Sequence, residues 1–118
     1  MSAAAEVYIS VDTPQKATRE KIEVAIDQTL RGMGFDISAD DRYNIGRYDS
    51  GIIVEAKSYG VPWEIFEQGW ADNLVREIHR LDETADVELY VYNLDREADV
   101  VARTMSLFSE NHMERAPL

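Results

Sequence analysis

Val87-Glu88-Leu89-Tyr90-Val91-Tyr92 alternates without a break: Val87, Leu89 and Val91 fall on one parity, Glu88, Tyr90 and Tyr92 on the other. That period belongs to a strand with one face on a core. Val7, Ile9 and Val11, alternating with Tyr8 and Ser10, repeat the pattern near the start of the chain. Both strands pair an aliphatic face with a face bearing tyrosine, where lysine, glutamate and threonine are usual. A sheet that turns phenols away from its core is either covered there or binds something.

Working outward, the first strand runs from Glu6 to about Asp12, and Thr13-Pro14 reads as N-cap and first turn of a helix. Ile22, Ile26, Leu30 and Met33 form its apolar stripe, and Gly34 is the expected stop. A weaker strand, Asp40 to Tyr48, is followed by the turn signal Asp49-Ser50-Gly51 and a strand from Ile52 to Tyr59. Gly60-Val61-Pro62 then opens a second helix with the stripe Phe66, Trp70, Leu74, Ile78 and Leu81. After the Val87–Tyr92 strand, Asp95 is expected to cap a third helix, roughly Arg96 to Asn111, with Val101, Met105 and Phe108 on one stripe. Residues 112–118 show no pattern.

The resulting order is β-α-β-β-α-β, then α. Over about residues 6–94 this order resembles the split βαβ pattern of ferredoxin-like folds. The resemblance implies an α+β sandwich: a four-stranded antiparallel sheet of order 4-1-3-2 with two helices on one face. It implies no function. The whole chain of 118 residues reads as one domain. The parities place Tyr8, Tyr48, Tyr59, Tyr90 and Tyr92 on the face opposite the helices, with Ile53, Glu55, Lys57 and Glu88. The third helix is expected to cover part of that face.

Composition narrows the chemistry. The chain has no cysteine, which excludes disulfides and thiolate chemistry. No run is long and apolar enough to span a membrane, and residues 1–6 do not read as a secretion signal, so a cytoplasmic location is expected. Net charge is −11, unevenly spread: 10 acids face 7 bases in residues 1–60, and 13 face 5 in residues 61–118. Such a field disfavours nucleic acid and favours a basic protein partner. The bases are nine Arg and three Lys, a balance that equally suits a salty cytoplasm.

Tyrosines on an open sheet resemble the base-stacking platform of RNA-recognition domains. The segment IIVEAKSY at 52–59 lacks that family's basic-aromatic pattern, and the acidity opposes RNA. His79 and Glu83 stand at i, i+4 without a second nearby histidine, so an ordinary polar pair outweighs a metal site. Asp36, Ser38, Asp40, Asp41 and Asn44 imitate a calcium loop, but Asp41 and Arg47 occupy the positions that need glycine and glutamate. No nucleophile elbow or phosphate loop is present. No metal, cofactor or catalytic residue is expected.

The expectation is therefore a non-catalytic acidic protein-binding module, of the inhibitor or immunity type, that occludes a basic partner such as a nuclease. Glu64, Glu67, Asp72, Asp82, Glu83 and Asp86 would supply the charge, with Tyr90 and Tyr92 as anchors. The alternative is a homodimer through the sheet face that binds a small metabolite at Tyr59, Trp63 and Trp70.

Overall fold

A computed structural model describes residues 2–38, 42–94 and 105–108. In chain order the elements are β1 (Ser2–Asp12), α1 (Lys16–Gly32), β2 (Tyr43–Tyr48), β3 (Gly51–Pro62), a 3-10 turn (Trp63–Phe66), α2 (Gly69–Leu81), β4 (Asp86–Asn93) and β5 (Met105–Phe108). The strands described form one antiparallel sheet of order β2-β3-β1-β4-β5. Read from the other edge, the first four give 4-1-3-2, the order expected. The α+β arrangement, with both helices on one face, is compatible with a ferredoxin-like fold.

The parity of the strands sets the core. Val7, Ile9 and Val11 of the central strand have no exposed surface, nor do Val54, Val87, Leu89 and Val91 beside them. Ile22, Ile26 and Leu30 of α1 and Ala71, Leu74, Val75 and Ile78 of α2 close over this face. The seam of α2 thus includes the small and β-branched Ala71 and Val75, which the wide aromatic stripe had masked. Trp70, expected in the core, is half-buried, and its indole donates to the Ile65 carbonyl at 3.0 Å.

Local chemistry sets the ends. α1 stops at a Schellman motif: Phe35 N–H donates to Leu30 O and Gly34 N–H to Arg31 O, with Gly34 at φ 100°. Buried Phe35 then packs into the core beside Leu30. The β2–β3 hairpin turns on Asp49-Ser50, with Tyr48 paired to Gly51. Neither turn residue takes the left-handed φ of the twist-matched hairpin turn. The turn is held from outside instead. Thr13 N–H donates to Ser50 O at 2.8 Å, and Arg19 donates to the carbonyls of Tyr48 and Asp49.

Several expectations are corrected. β1 begins at Ser2, because Ala3 and Ala5 pair with Val61 and Ser58 across a bulge in which Tyr59 and Gly60 oppose Ala4. α1 starts at Lys16, with extended Gln15 as its N-cap, so Thr13-Pro14 lies before it. Pro62 ends β3 and does not open α2, because Val61 is drawn into the ladder with Ala3. Gly69 then opens α2 and does not interrupt it, and a Cβ there would meet nothing. β2 starts at Tyr43; the expected residues Asp40 and Asp41 lie outside the described residues.

The third helix is corrected where it can be compared. Met105–Phe108 is a strand that pairs Met105 with Val91 and Phe108 with Glu88. A bare β4 edge offers unpaired backbone groups, and a run of four residues too short to fix its period can satisfy them. Residues 95–104 and 109–118, which carry the rest of that expectation and of the tail, lie outside the described residues.

Two substitutions test this frame. Leu89→Ala removes a fully buried side chain and is expected to cost about 2–5 kcal/mol in urea or guanidinium unfolding. A loss below about 0.5 kcal/mol would show that Leu89 does not face the core. Gly51→Ala would drive a Cβ into the Val11 carbonyl oxygen, a backbone atom. It is expected to destabilise by at least about 1–3 kcal/mol, whereas Gly69→Ala should be neutral or stabilising.

Candidate functional site

The face of the sheet opposite the helices carries the side chains that the core parity rejects. Register fixes their rows. Asn44, Glu55, Tyr8 and Tyr90 lie side by side across β2, β3, β1 and β4. One row away lie Lys57, Glu6 and Tyr92; on the other side lie Gly46, Ile53, Ser10 and Glu88. Asp12 and Asp86 form a like-charged pair at the far end of the β1–β4 ladder. Among the described residues no helix or loop lies over this face.

At its centre the rings of Tyr8 and Tyr90 meet at 6.0 Å between centroids, tilted by 42°. Both are half-buried by their neighbours. Glu55 and Glu88 are exposed, Glu6 is half-exposed, and among the described residues none of the three has a hydrogen-bond or ion-pair partner. At the edge of the same face Arg42 lies over the ring of Tyr59, its guanidinium carbon 5.5 Å from the centroid. The arrangement offers aromatic area and an excess of negative charge over Lys57 and Arg42. It holds no nucleophile or base geometry.

The sequence-derived site residues scatter over this frame. Asp86, Tyr90 and Tyr92 meet on the open face. Glu64 and Glu67 are exposed on and just after the 3-10 turn, Asp72 is exposed in the first turn of α2, and Glu83 is exposed in the loop before β4. Of the ligand residues proposed as an alternative, Tyr59 is exposed on the sheet, Trp63 meets Phe66 at 5.5 Å between ring centroids with the planes tilted by 51°, and Trp70 packs on the core. No ring contact joins the three among the described residues.

Asp82 serves a different purpose. It is 3% exposed and accepts three hydrogen bonds: from Thr84 N–H at 2.9 Å, from Thr84 Oγ1 at 2.6 Å, and from the buried Thr13 hydroxyl. It joins the loop after α2 to the loop after β1 and is not an exposed acid. Burial raises its pKa, but the bonds from Thr13 and Thr84 and the nearby His79 outweigh that and hold it below the ordinary aspartate value.

The acids of α1 are likewise committed. Glu23 makes a two-pronged ion pair with Arg47, at 2.7 and 3.1 Å, and Asp27 accepts from Tyr43 Oη. Burial, then the Asp27 bond, pushes the Tyr43 phenol upward. With Arg19, these residues stand at i, i+4 and i+8 along α1 and follow β2 from its turn to its start. A groove of about 530 Å³ between α1 and the hairpin is lined by Arg19, Glu23, Val24, Arg47, Tyr48 and Ile52. Its two arginines are already engaged by these bonds.

Reading sites from charge density missed Tyr8 and Glu55, which strand parity had already placed with Tyr90, and Glu6, which parity had not placed. It also missed the Thr13–Asp82 link, whose partners lie 69 residues apart.

No protein-family model matches the chain, and no curated protein does either. One solved structure, the de novo designed protein Foldit4, is similar at 14% identity and a TM-score of 0.51, over 75% of this chain and 94% of that one. The likeness concerns the fold alone.

The Asp82 link gives a pH-dependent expectation. A carboxyl whose folded pKa is depressed contributes stability above its unfolded pKa, near 4 as an order of magnitude, and loses it as pH falls through the folded value. Asp82→Ala should cost about 1–3 kcal/mol at neutral pH, through the orphaned Thr13 hydroxyl and Thr84 N–H. In denaturant melts against pH, the gap between the two proteins should narrow below about pH 4. A constant gap would show that the carboxylate charge is irrelevant.

Proposed function

We propose that this chain is a non-catalytic, ferredoxin-like protein-binding module that captures a basic protein partner, in the manner of a small acidic inhibitor. The observation that carries the reading is the sheet face opposite the helices, with aromatic area at its centre and, around it, Glu6, Glu55 and Glu88, which have no partner among the described residues. Tyrosine suits such a surface because it combines apolar area with a polar tip at low entropic cost. The net charge of −11 adds long-range attraction for a cationic partner and repulsion of phosphate backbones. For the alternative, a metabolite site, no ring contact joins Tyr59, Trp63 and Trp70 among the described residues.

Complexes steered by charge weaken as salt screens the approach. Titrated against a cationic ribonuclease as probe, the protein is expected to bind with an affinity that falls about tenfold or more from low to high salt. Duplex DNA should give no anisotropy change at physiological salt. Absence of binding to the cationic probe, binding indifferent to salt, or micromolar binding of duplex would each refute the reading.

A further inference from the structure

The open face has a chemistry more particular than negative charge. We propose that it is an arginine-reading surface: the Tyr8–Tyr90 pair receives a guanidinium of an arginine-bearing segment of a protein partner, and Glu55, Glu6 and Glu88 bind its N–H edges. The proposal rests on the protein-binding reading above and names the partner's chemistry.

Three observations converge on it. Tyr8 and Tyr90 are direct cross-strand partners, their ring centroids 6.0 Å apart and their planes tilted by 42°. A planar guanidinium stacks on an aromatic face and is more weakly hydrated than an ammonium, which makes arginine the better occupant. The carboxylates stand where the edges of that guanidinium would project. Glu55 is the direct neighbour of Tyr8 across β3, Glu6 is two residues along β1, and Glu88 is two residues along β4 from Tyr90. Adjacent strands lie about 5 Å apart and same-face residues about 7 Å apart along a strand, within reach of an arginine fork.

The chain itself performs this contact once. On the same face Arg42 lies over the ring of Tyr59 at 5.5 Å. A second guanidinium on Tyr8 and Tyr90 repeats that geometry, now with three carboxylates that lack partners among the described residues. On the helical side Glu23, Glu77 and Asp82 have partners, whereas Glu20, Asp72 and Glu83 lack them among the described residues; the open face differs in setting such carboxylates beside paired aromatic rings.

The test uses the full chain, ¹⁵N-labelled, titrated with an arginine-glycine peptide and a lysine-glycine peptide of equal length and charge. The arginine peptide is expected to bind about 2- to 5-fold more tightly, with the largest amide shifts at Tyr8, Glu55 and Tyr90. Tyr8→Thr and Tyr90→Thr should abolish the preference for arginine, while Tyr8→Phe and Tyr90→Phe, which keep the rings, should retain it. Glu55→Gln and Glu88→Gln should weaken both peptides; Glu20→Gln on α1 should affect neither. Dispersed spectra would confirm that each variant is folded.

Equal binding of the two peptides, or shifts centred on the helices, would overturn the arginine surface and leave the acidic-module reading standing. Binding of neither peptide, together with no binding of the cationic ribonuclease, would overturn both.

Discussion

The aliphatic parity of β1 is the constraint on which the rest of the structure depends. Val7, Ile9 and Val11 lie at the centre of the sheet and are wholly buried. The strand is paired on both sides, to β3 and to β4, so its register is fixed by two ladders at once. A slip of one residue would move three aliphatic side chains to the open face and Tyr8 and Ser10 into the core. Burial of that face under α1 and α2 therefore dictates the opposite face as well. Tyr8 is where it is because Val7 and Ile9 are where they are.

Polar links then position what the core leaves loose. β2 is an edge strand, and much of its length is half-buried or exposed. Arg19, Glu23 and Asp27 tie it to α1 in three steps, from the Asp49-Ser50 turn back to Tyr43. Thr13 has two connections: its N–H reaches the hairpin turn, and its hydroxyl reaches Asp82 beyond α2. A buried carboxylate with three donors satisfies itself, where an unpaired one would be costly. The loops at this end of the sandwich are therefore linked by hydrogen bonds, beside the apolar contact of buried Ala85 with the core.

These arrangements set one sheet face apart from the core. The fold alone assigns that face no role. Side-chain chemistry distinguishes this face. An idle solvent face is ordinarily dressed with balanced charges, whereas this one sets paired tyrosines among carboxylates that outnumber Lys57 and Arg42. β4 gains β5 on its free edge, which brings residues 105–108 alongside Glu88 and Tyr90 without an element over the face among the described residues.

Strand parity in β1, β3 and β4, the helical stripe of α1 and its glycine stop were all legible from the chain alone, because each is a local periodicity or a backbone requirement. They were enough to assign the core face and the tyrosine face; the 4-1-3-2 order was implied only by the resemblance of the element order to the split βαβ pattern. The misread segments share a cause. Ala3-Ala4-Ala5 carries no alternation, yet the ladder with Val61 and Asn93 makes it strand. Thr13 has the chemistry of a helix cap, yet its hydroxyl is engaged by Asp82 from the far end of α2. Asp82 has the chemistry of a surface acid, yet its loop folds it under Thr13 and Thr84. Met105–Phe108 suits a helical stripe, yet it pairs with the free edge of β4. Short-range pattern determined which residues turn inward; partners distant along the chain, from 14 residues for Met105 and Val91 to 88 for Ala5 and Asn93, which only the tertiary structure brings into contact, decided the ends of the elements and the fate of the polar groups. Hydrogen-bond satisfaction is a property of three-dimensional neighbours, and no local period encodes it.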